Sequence, residues 1–265
     1  MTLWKQIDRA WPMMLRELKL KTSYRINLIL SVIGSFAGLV SYAFLGNTAV
    51  ASATNGDYGM SLVSFLVSGV AFSPIINGGI SMFFQYAVPS QIEEAMVTPI
   101  DFTAYLLLSS LLSVLASIGM AVLLFTTSVF LFDLSFSYNL PLIAANAALG
   151  VVASIGLGFL GLGFQLRYKG SYFLAWMLYT FSSLIGNMVV PVQVLPGILQ
   201  LISYATPQYY FFTGIRSGLT NSYATSSTLL LGAFALYTIV LVLVGLVALK
   251  LGIASIKKNG THRWS

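Results

Sequence analysis

The chain has 265 residues, of which 57% are hydrophobic and only 8% are charged, and its formal net charge is +6. Soluble domains contain about 25% charged residues, so this composition excludes a water-soluble surface and indicates an integral membrane protein. Cysteine is absent, which excludes a disulfide framework and thiolate chemistry.

Six uncharged runs lie between the charged residues, and each is longer than the roughly 20 residues that a helix needs to cross the hydrocarbon core. The runs are continuously apolar and rich in Leu, Ala and Gly, whereas the strands of a membrane barrel would alternate apolar and polar residues. We therefore predict an all-α membrane protein with a single transmembrane domain of six helices. The predicted spans are 26–45, 60–86, 102–131, 141–165, 171–190 and 227–249.

The positions of Lys and Arg predict the orientation in the membrane. With the N-terminus inside, twelve of the thirteen basic residues fall on the inner side, and Arg216 alone falls outside. Six spans return the chain to the same side, so both termini, including a tail at 250–265, are predicted to be cytoplasmic in a multi-pass protein of the cell membrane. Anionic lipid is the expected counter-charge, and the absence of a basic and aromatic groove argues against nucleic acid.

The N-terminal residues 1–22 have apolar side chains at near-helical spacing, with basic residues such as Arg9 and Arg16 on other faces. This pattern predicts an amphipathic helix that lies along the membrane surface. The alternative is a plain basic anchor before the first span.

The second predicted span contains a proline and a polar, glycine-rich triplet that should bend or loosen the helix. Such a break is either a hinge beside a transport path or a notch for close packing. The candidate hinge residues are Pro74, Asn77, Gly78 and Gly79.

An acidic stretch follows, and it predicts a short cytoplasmic helix at 90–99. Pro89 ends the preceding helix, and Ser90 with Glu93 three residues later forms a capping box. Capping alone explains acids in the first turn. The position of this helix between two spans, however, favours a docking element for a partner.

The fifth uncharged run is too long for one span and its loop. After a span at 171–190, the apolar and proline-broken segment 191–216 is predicted to form a re-entrant or interfacial pair of helices on the outer side. Arg216 should pair there with carbonyl groups, Asp57, Asp133 or lipid phosphate. The tyrosines that suit an interfacial belt are Tyr204, Tyr209 and Tyr210.

Catalytic motifs are scarce. The only histidine is His262, there is no phosphate-binding loop of the Gly-x-x-x-x-Gly-Lys type, and the middle of each span lacks ionisable residues. We therefore predict no metal site, no cofactor held by this chain and no enzymatic activity of its own. Energy for any transport would come from a partner.

The whole chain resembles the type-2 permeases of ATP-binding-cassette exporters. The stretch from Ile92 to Pro99 is similar to the Glu-x-x-x-x-Thr-Pro region of that family, and the prolines before Arg216 are similar to its outer re-entrant segment. The resemblance implies a half-transporter. Two copies, or this chain and a similar one, would pair with separate ATPase subunits that bind ATP and Mg.

The resemblance also implies roles for residues. The cargo would be an amphipathic or apolar drug, lipid, glycan or peptide. The coupling contacts to the ATPase would be Gln91, Glu93, Glu94, Met96, Thr98, Arg9 and Arg16, and the outer gate would be Pro191, Leu195, Pro196, Pro207 and Arg216.

An alternative function fits the same hydropathy. The chain could be an ATP-independent channel or scaffold whose cytoplasmic helix binds a regulatory protein. A co-purifying ATPase would distinguish the two.

Overall fold

Helices account for all the regular secondary structure in the part of the chain that the computed structural model describes. That part comprises residues 19, 23, 25–50, 60–85, 102–168, 180, 181, 183–220 and 225–259. Its helices are α1 (Arg25–Val50), α2 (Leu62–Gln85), α3 (Phe102–Phe132), α4 (Leu140–Tyr168), α5 (Gly197–Tyr204), α6 (Pro207–Leu219) and α7 (Thr225–Asn259), with a 3-10 turn at Val192–Val194.

Five of these helices are long and apolar enough to cross a membrane, namely α1, α2, α3, α4 and α7. They correspond to the predicted first, second, third, fourth and sixth spans. The chain is therefore an all-helical, multi-pass membrane protein. The predicted surface helix at 1–22 and the predicted short helix at 90–99 lie outside the described residues, apart from Lys19.

Several predicted boundaries differ from the structure, and α1 ends at Val50 instead of the predicted residue 45. In the fifth predicted span, residues 180, 181 and 183–185 are helical, but the helix ends at 185 instead of 190. It ends there because Asn187 adopts a left-handed backbone with a φ of 61°, which a continuing helix does not allow. The last span also continues past the predicted residue 249 to Asn259, so the first part of the predicted tail is helical.

Close glycine contacts join α4 and α7. A Cβ atom built on Gly156 would lie 3.2 Å from Leu241 Cγ, and one built on Gly163 would lie 2.4 Å from the carbonyl carbon of Ala248. Both contacts advance in the same direction along the two helices, so α4 and α7 run parallel. The glycines of α4 thus allow close packing of the two helices at these positions.

The proline in α2 does not break the helix. Pro74 has no N–H group for the carbonyl of Val70, and the Ser73 hydroxyl donates a hydrogen bond of 2.8 Å to that carbonyl instead. A neighbouring hydroxyl thus replaces the lost backbone bond, as helices in apolar surroundings require.

The two glycines after Pro74 are sites of close packing. A Cβ atom built on Gly78 would lie 2.8 Å from Ser117 Oγ on α3, and one built on Gly79 would lie 1.6 Å from the carbonyl oxygen of Ser154 on α4. The continuous helix and these contacts favour the packing notch. A hinge at Pro74, Asn77, Gly78 and Gly79 stays a prediction.

The helix α6 packs antiparallel to α4. Built Cβ atoms on Gly214 and Gly218 would meet Asn146 and Ile143, while Phe211 fills the space over Gly150. The C-terminal end of α6 therefore lies beside the N-terminal end of α4, where Asn139 N–H donates to Gly218 O over 2.8 Å. The main apolar core includes residues of α1, α2, α3, α4, α6 and α7.

We expect Gly79→Ala to lower the thermal unfolding midpoint in detergent, because its methyl group would overlap the Ser154 carbonyl and separate α2 from α4. Overpacking of this kind costs roughly 1–3 kcal/mol. Gly119→Ala is the matched control, since a Cβ atom at this α3 glycine meets nothing within 4 Å. It should be neutral or stabilising. Equal midpoints for the two variants would contradict the packing notch.

Candidate functional site

Arg216, on α6, is buried with 6% of its surface exposed, and it forms four hydrogen bonds. Nε donates to the Ser68 hydroxyl over 3.3 Å. Nη2 donates to the carbonyls of Phe65, at 2.9 Å, and Met188, at 2.8 Å. Nη1 donates to the carbonyl of Asn187. One side chain therefore fastens α6 both to the first turns of α2 and to the chain that follows residue 185.

The charge of Arg216 is stabilised by π electrons and dipoles. The guanidinium carbon lies 3.5 Å from the centre of the Phe65 ring and 5.8 Å from that of Phe212. The carbonyls of Asn187 and Met188 follow the C-terminal end of a helix, where the helix dipole is negative. Of the partners predicted from the sequence, backbone carbonyls are those found.

The turn that supplies these carbonyls is itself held by α5 and α6. The Asn187 amide donates to Thr213 Oγ1 over 2.9 Å, and the Ser203 hydroxyl donates to the Ile185 carbonyl over 2.7 Å. The Ser203 hydroxyl thus satisfies a carbonyl that the ending helix leaves without a partner, and the Asn187 side chain ties the turn to α6. We refer to residues 186–220, which these bonds join into one unit, as the α5–α6 segment.

Gly69 allows this segment to approach α2. A Cβ atom built on Gly69 would lie 2.0 Å from the Met188 carbonyl oxygen and 2.9 Å from Arg216 Nη2. No other residue type leaves room for both groups. The missing side chain at Gly69 thus leaves a recess in the surface of α2 opposite Arg216.

The residues predicted to form the outer gate are spread through the α5–α6 segment and do not form one cluster. Pro191 is buried before the 3-10 turn, Leu195 is half-buried after it, and Pro196 is exposed at the start of α5. Pro207 is buried at the first position of α6, where its missing N–H group has no helical partner to lose. Only Arg216 lies in the hydrogen-bonded centre.

Aromatic rings surround the turn between α5 and α6. The ring centres of Tyr204 and Tyr209 are 4.8 Å apart in an edge-to-face arrangement, and those of Tyr210 and Tyr237, on α7, are 5.7 Å apart. The Tyr237 hydroxyl donates to the Ala205 carbonyl over 2.6 Å. The turn is therefore attached to α7.

Gln208, in the first turn of α6, is the least satisfied polar side chain in the described part. It is 1% exposed, and neither its Oε1 nor its Nε2 atom has a hydrogen-bond partner there. The N-cap residue Thr206 does not cap α6 with its side chain, and its hydroxyl donates to the Ser203 carbonyl.

The predicted coupling residues cannot be placed. Gln91, Glu93, Glu94, Met96, Thr98, Arg9 and Arg16 all lie outside the described residues. Of the candidate hinge residues, Asn77 is half-buried within the continuous helix α2.

Sequence reasoning predicted carbonyl partners for Arg216 but did not identify which carbonyls, or Ser68. Ser68 and Gly69 lie far away in the chain, and their one signal is that they interrupt an apolar run. Asn187 carried a clearer signal, because asparagine is one of the few residues that tolerate a positive φ and often follows a helix. Gln208 follows Pro207 directly, which marks it as a first-turn residue.

The chain matches no protein-family model, and no curated protein matches it significantly. Among the described residues, no group of three His, Cys, Asp or Glu side chains is placed to hold a metal ion. The fold thus defines a multi-pass helical membrane protein with a polar centre at Arg216.

We expect Arg216→Lys to destabilise the protein although the charge is kept. Lysine lacks the planar fork that serves the three carbonyls and the Ser68 hydroxyl, and each buried acceptor without a donor costs roughly 1–3 kcal/mol. Arg167→Lys, at the exposed end of α4, is the matched control and should change the midpoint little. Thermal unfolding in detergent measures both variants, and an unchanged midpoint for Arg216→Lys would contradict the assigned role.

Proposed function

We propose that this chain is the transmembrane subunit of an ATP-binding-cassette exporter, with two such subunits and two separate ATPase subunits in the complex. The cargo is an amphipathic or apolar molecule, and the α5–α6 segment is the outer gate. The proposal rests on the resemblance described above and on one structural observation, the path of the α5–α6 segment beside α4 and α7.

The contacts of α6 support a re-entrant path. Its C-terminal end lies beside the start of α4, and Phe211 reaches Gly150, which is about 15 Å along α4 from Leu140 at 1.5 Å per residue. The turn before α6 meets Tyr237, about 18 Å along α7 from Thr225. Both distances support a re-entrant path, in which this turn lies near the middle of a core about 30 Å thick.

The way in which the segment is attached supports a gate. The frame of α2, α4 and α7 is held by backbone contacts at glycines, such as Gly79 with Ser154, that cannot open without separating the helices. The α5–α6 segment is held to α2 largely through the hydrogen bonds of Arg216. A set of hydrogen bonds can be exchanged as a unit, which suits a part that alternates between two positions.

The energy source must lie in a partner under this proposal, because the spans carry no ionisable group and the chain lacks a phosphate-binding loop. The predicted helix at 90–99 is the proposed docking element, and closure of the ATPase dimer would move it as a rigid body.

We expect the double variant Glu93→Lys, Glu94→Lys to lose the co-purifying ATPase, or to keep it while hydrolysis no longer responds to cargo. The charge reversal would oppose the contact that the proposal assigns to these residues. Asp57→Lys is the control, since it makes the same change in a predicted outer loop. If no ATPase accompanies the wild-type chain, the channel or scaffold alternative is favoured.

A disulfide between α4 and α6 tests the gate directly. A Cβ atom on Gly218 would lie 3.6 Å from Ile143 Cα and 2.6 Å from its Cγ1, so Gly218→Cys with Ile143→Cys suits disulfide geometry. The chain has no cysteine of its own, so no native thiol can compete for the pair. We expect oxidation to reduce transport at least about tenfold and reduction to restore it. Equal transport in both states would show that α6 does not move from α4, and each single cysteine variant is a control.

A further inference from the structure

We propose that the turn between α5 and α6 binds the anionic, oxygen-rich head group of an amphipathic cargo, through the Gln208 amide and the first turn of α6. This inference rests on the proposed function and names the class of cargo. It is carried by three observations on residues 204–210: unpaired polar groups, their depth, and the sign of the local charge.

Unpaired polar groups are concentrated at this turn. The Gln208 amide is buried and lacks a partner on both of its polar atoms among the described residues. Helical side chains lean toward the N-terminus, so this amide lies over the first turn of α6. The N–H groups of that turn receive no side-chain cap from Thr206. Two sets of hydrogen-bonding groups therefore face the same place.

Two tyrosine hydroxyls add to this set on the exposed side. Tyr204 is 43% exposed and Tyr209 is half-buried, and within the described part neither hydroxyl has a hydrogen-bond partner. The adjacent Tyr237 shows the contrast, because its hydroxyl is bound to the Ala205 carbonyl.

The depth of the turn in the membrane decides whether water could satisfy its unpaired polar groups. Tyrosine hydroxyls at a membrane interface are satisfied by water and lipid head groups. On the re-entrant path of the proposed function, the contacts of Phe211 with Gly150 and of Ala205 with Tyr237 correspond to a turn near the middle of the membrane, where an unpaired polar group costs several kcal/mol. At that depth a polar group from outside the chain would pair these groups.

The local charge favours an anion. Arg216 is the only charged residue of the α5–α6 segment, and the dipole of α6 places positive potential at its first turn. The one acid in the described residues, Asp133, lies in the loop before α4, beyond the opposite end of α6. A phosphate or carboxylate would receive hydrogen bonds from backbone N–H groups, the Gln208 amide and tyrosine hydroxyls, while its apolar tail would remain among the apolar helices.

The Gln208 side chain is buried in this structure, so head-group binding would require the proposed gate to open. A head group reaches its amide only when α6 separates from its neighbours. Closing the gate without cargo leaves the amide unpaired, so cargo stabilises the state in which the turn is open.

Three amphiphiles with the same tail test the charge class. Dodecyl phosphate, dodecyltrimethylammonium and dodecyl glucoside would be titrated onto the purified chain in phosphatidylcholine nanodiscs, with the thermal midpoint as readout. We expect dodecyl phosphate alone to raise the midpoint of the wild-type chain with saturation. An equal response to the ammonium compound, or no response to the phosphate, would overturn the proposal.

Gln208→Met tests the residue. Methionine has a similar length, and removing unpaired polar atoms should leave the midpoint without amphiphile unchanged or higher. We expect the apparent dissociation constant for dodecyl phosphate to rise about tenfold, which corresponds to about 1.4 kcal/mol. Gln193→Met, at an exposed glutamine of the same segment, is the control and should bind as the wild type does. Equal binding by Gln208→Met and wild type would overturn the role of Gln208.

These results separate the two proposals. The assay contains no ATPase, so selective binding without a co-purifying ATPase would refute the exporter and keep the head-group site. Transport by an ATPase complex without head-group selectivity would keep the exporter and refute the head-group site. If Gln208→Met does not fold, Gln208→Leu serves instead, and we expect the same loss of affinity for dodecyl phosphate because it also removes both polar atoms.

Discussion

Taking a guanidinium out of water costs several kcal/mol unless its donors are paired, and at Arg216 they are paired with groups from two other parts of the chain. Three of the acceptors are backbone carbonyls, of Phe65, Asn187 and Met188, and the Phe65 ring covers the charge. Carbonyl dipoles and an aromatic face can stabilise a cation without introducing a second charge. The position of the α5–α6 segment on α2 depends on this centre.

The rest of the domain is held by a different interaction. Glycines in α2 and α4 bring helix backbones into direct contact, as at Gly79 with Ser154 and Gly163 with Ala248. In apolar surroundings helices associate through such packing, since lipid is as apolar as the side chains that it would replace. The α5–α6 segment shares this kind of packing with α4, at Gly214 and Gly218, but it is attached to α2 by the hydrogen bonds of Arg216. Those bonds can be exchanged as a unit, and they mark the attachment that we propose to change when the segment moves.

The polar groups of the turn between α5 and α6 link the proposed movement to the binding of a polar ligand. Arg216 is satisfied within the chain, and Gln208, about 12 Å away along α6, is not. Satisfied groups fix a structure, and an unsatisfied buried group favours any state or ligand that pairs it. In the proposed mechanism, Arg216 holds the segment closed, and Gln208 favours its opening around a polar head group.

Features that depend on residues close together in the sequence could be predicted, and features that depend on distant residues could not. Membrane insertion, helical structure and five of the spans depend on runs of apolar residues, which are local, and they were predicted correctly. The short helices near 197–219 followed from proline positions. The early end of the helix at 185 was missed, because the left-handed Asn187 is fixed by contacts with Thr213 and Arg216 from the other end of the segment.

The sequence by itself determined that this is a helical membrane protein with a single cation, Arg216, in its proline-broken segment. Only the tertiary structure decided which carbonyls receive that cation, that Gly69 makes room for them, and that Gln208 is buried without a partner. The physical reason is that pairing and burial depend on which distant residues meet. A hydropathy pattern records the affinity of each residue for lipid but not its neighbours in the folded chain.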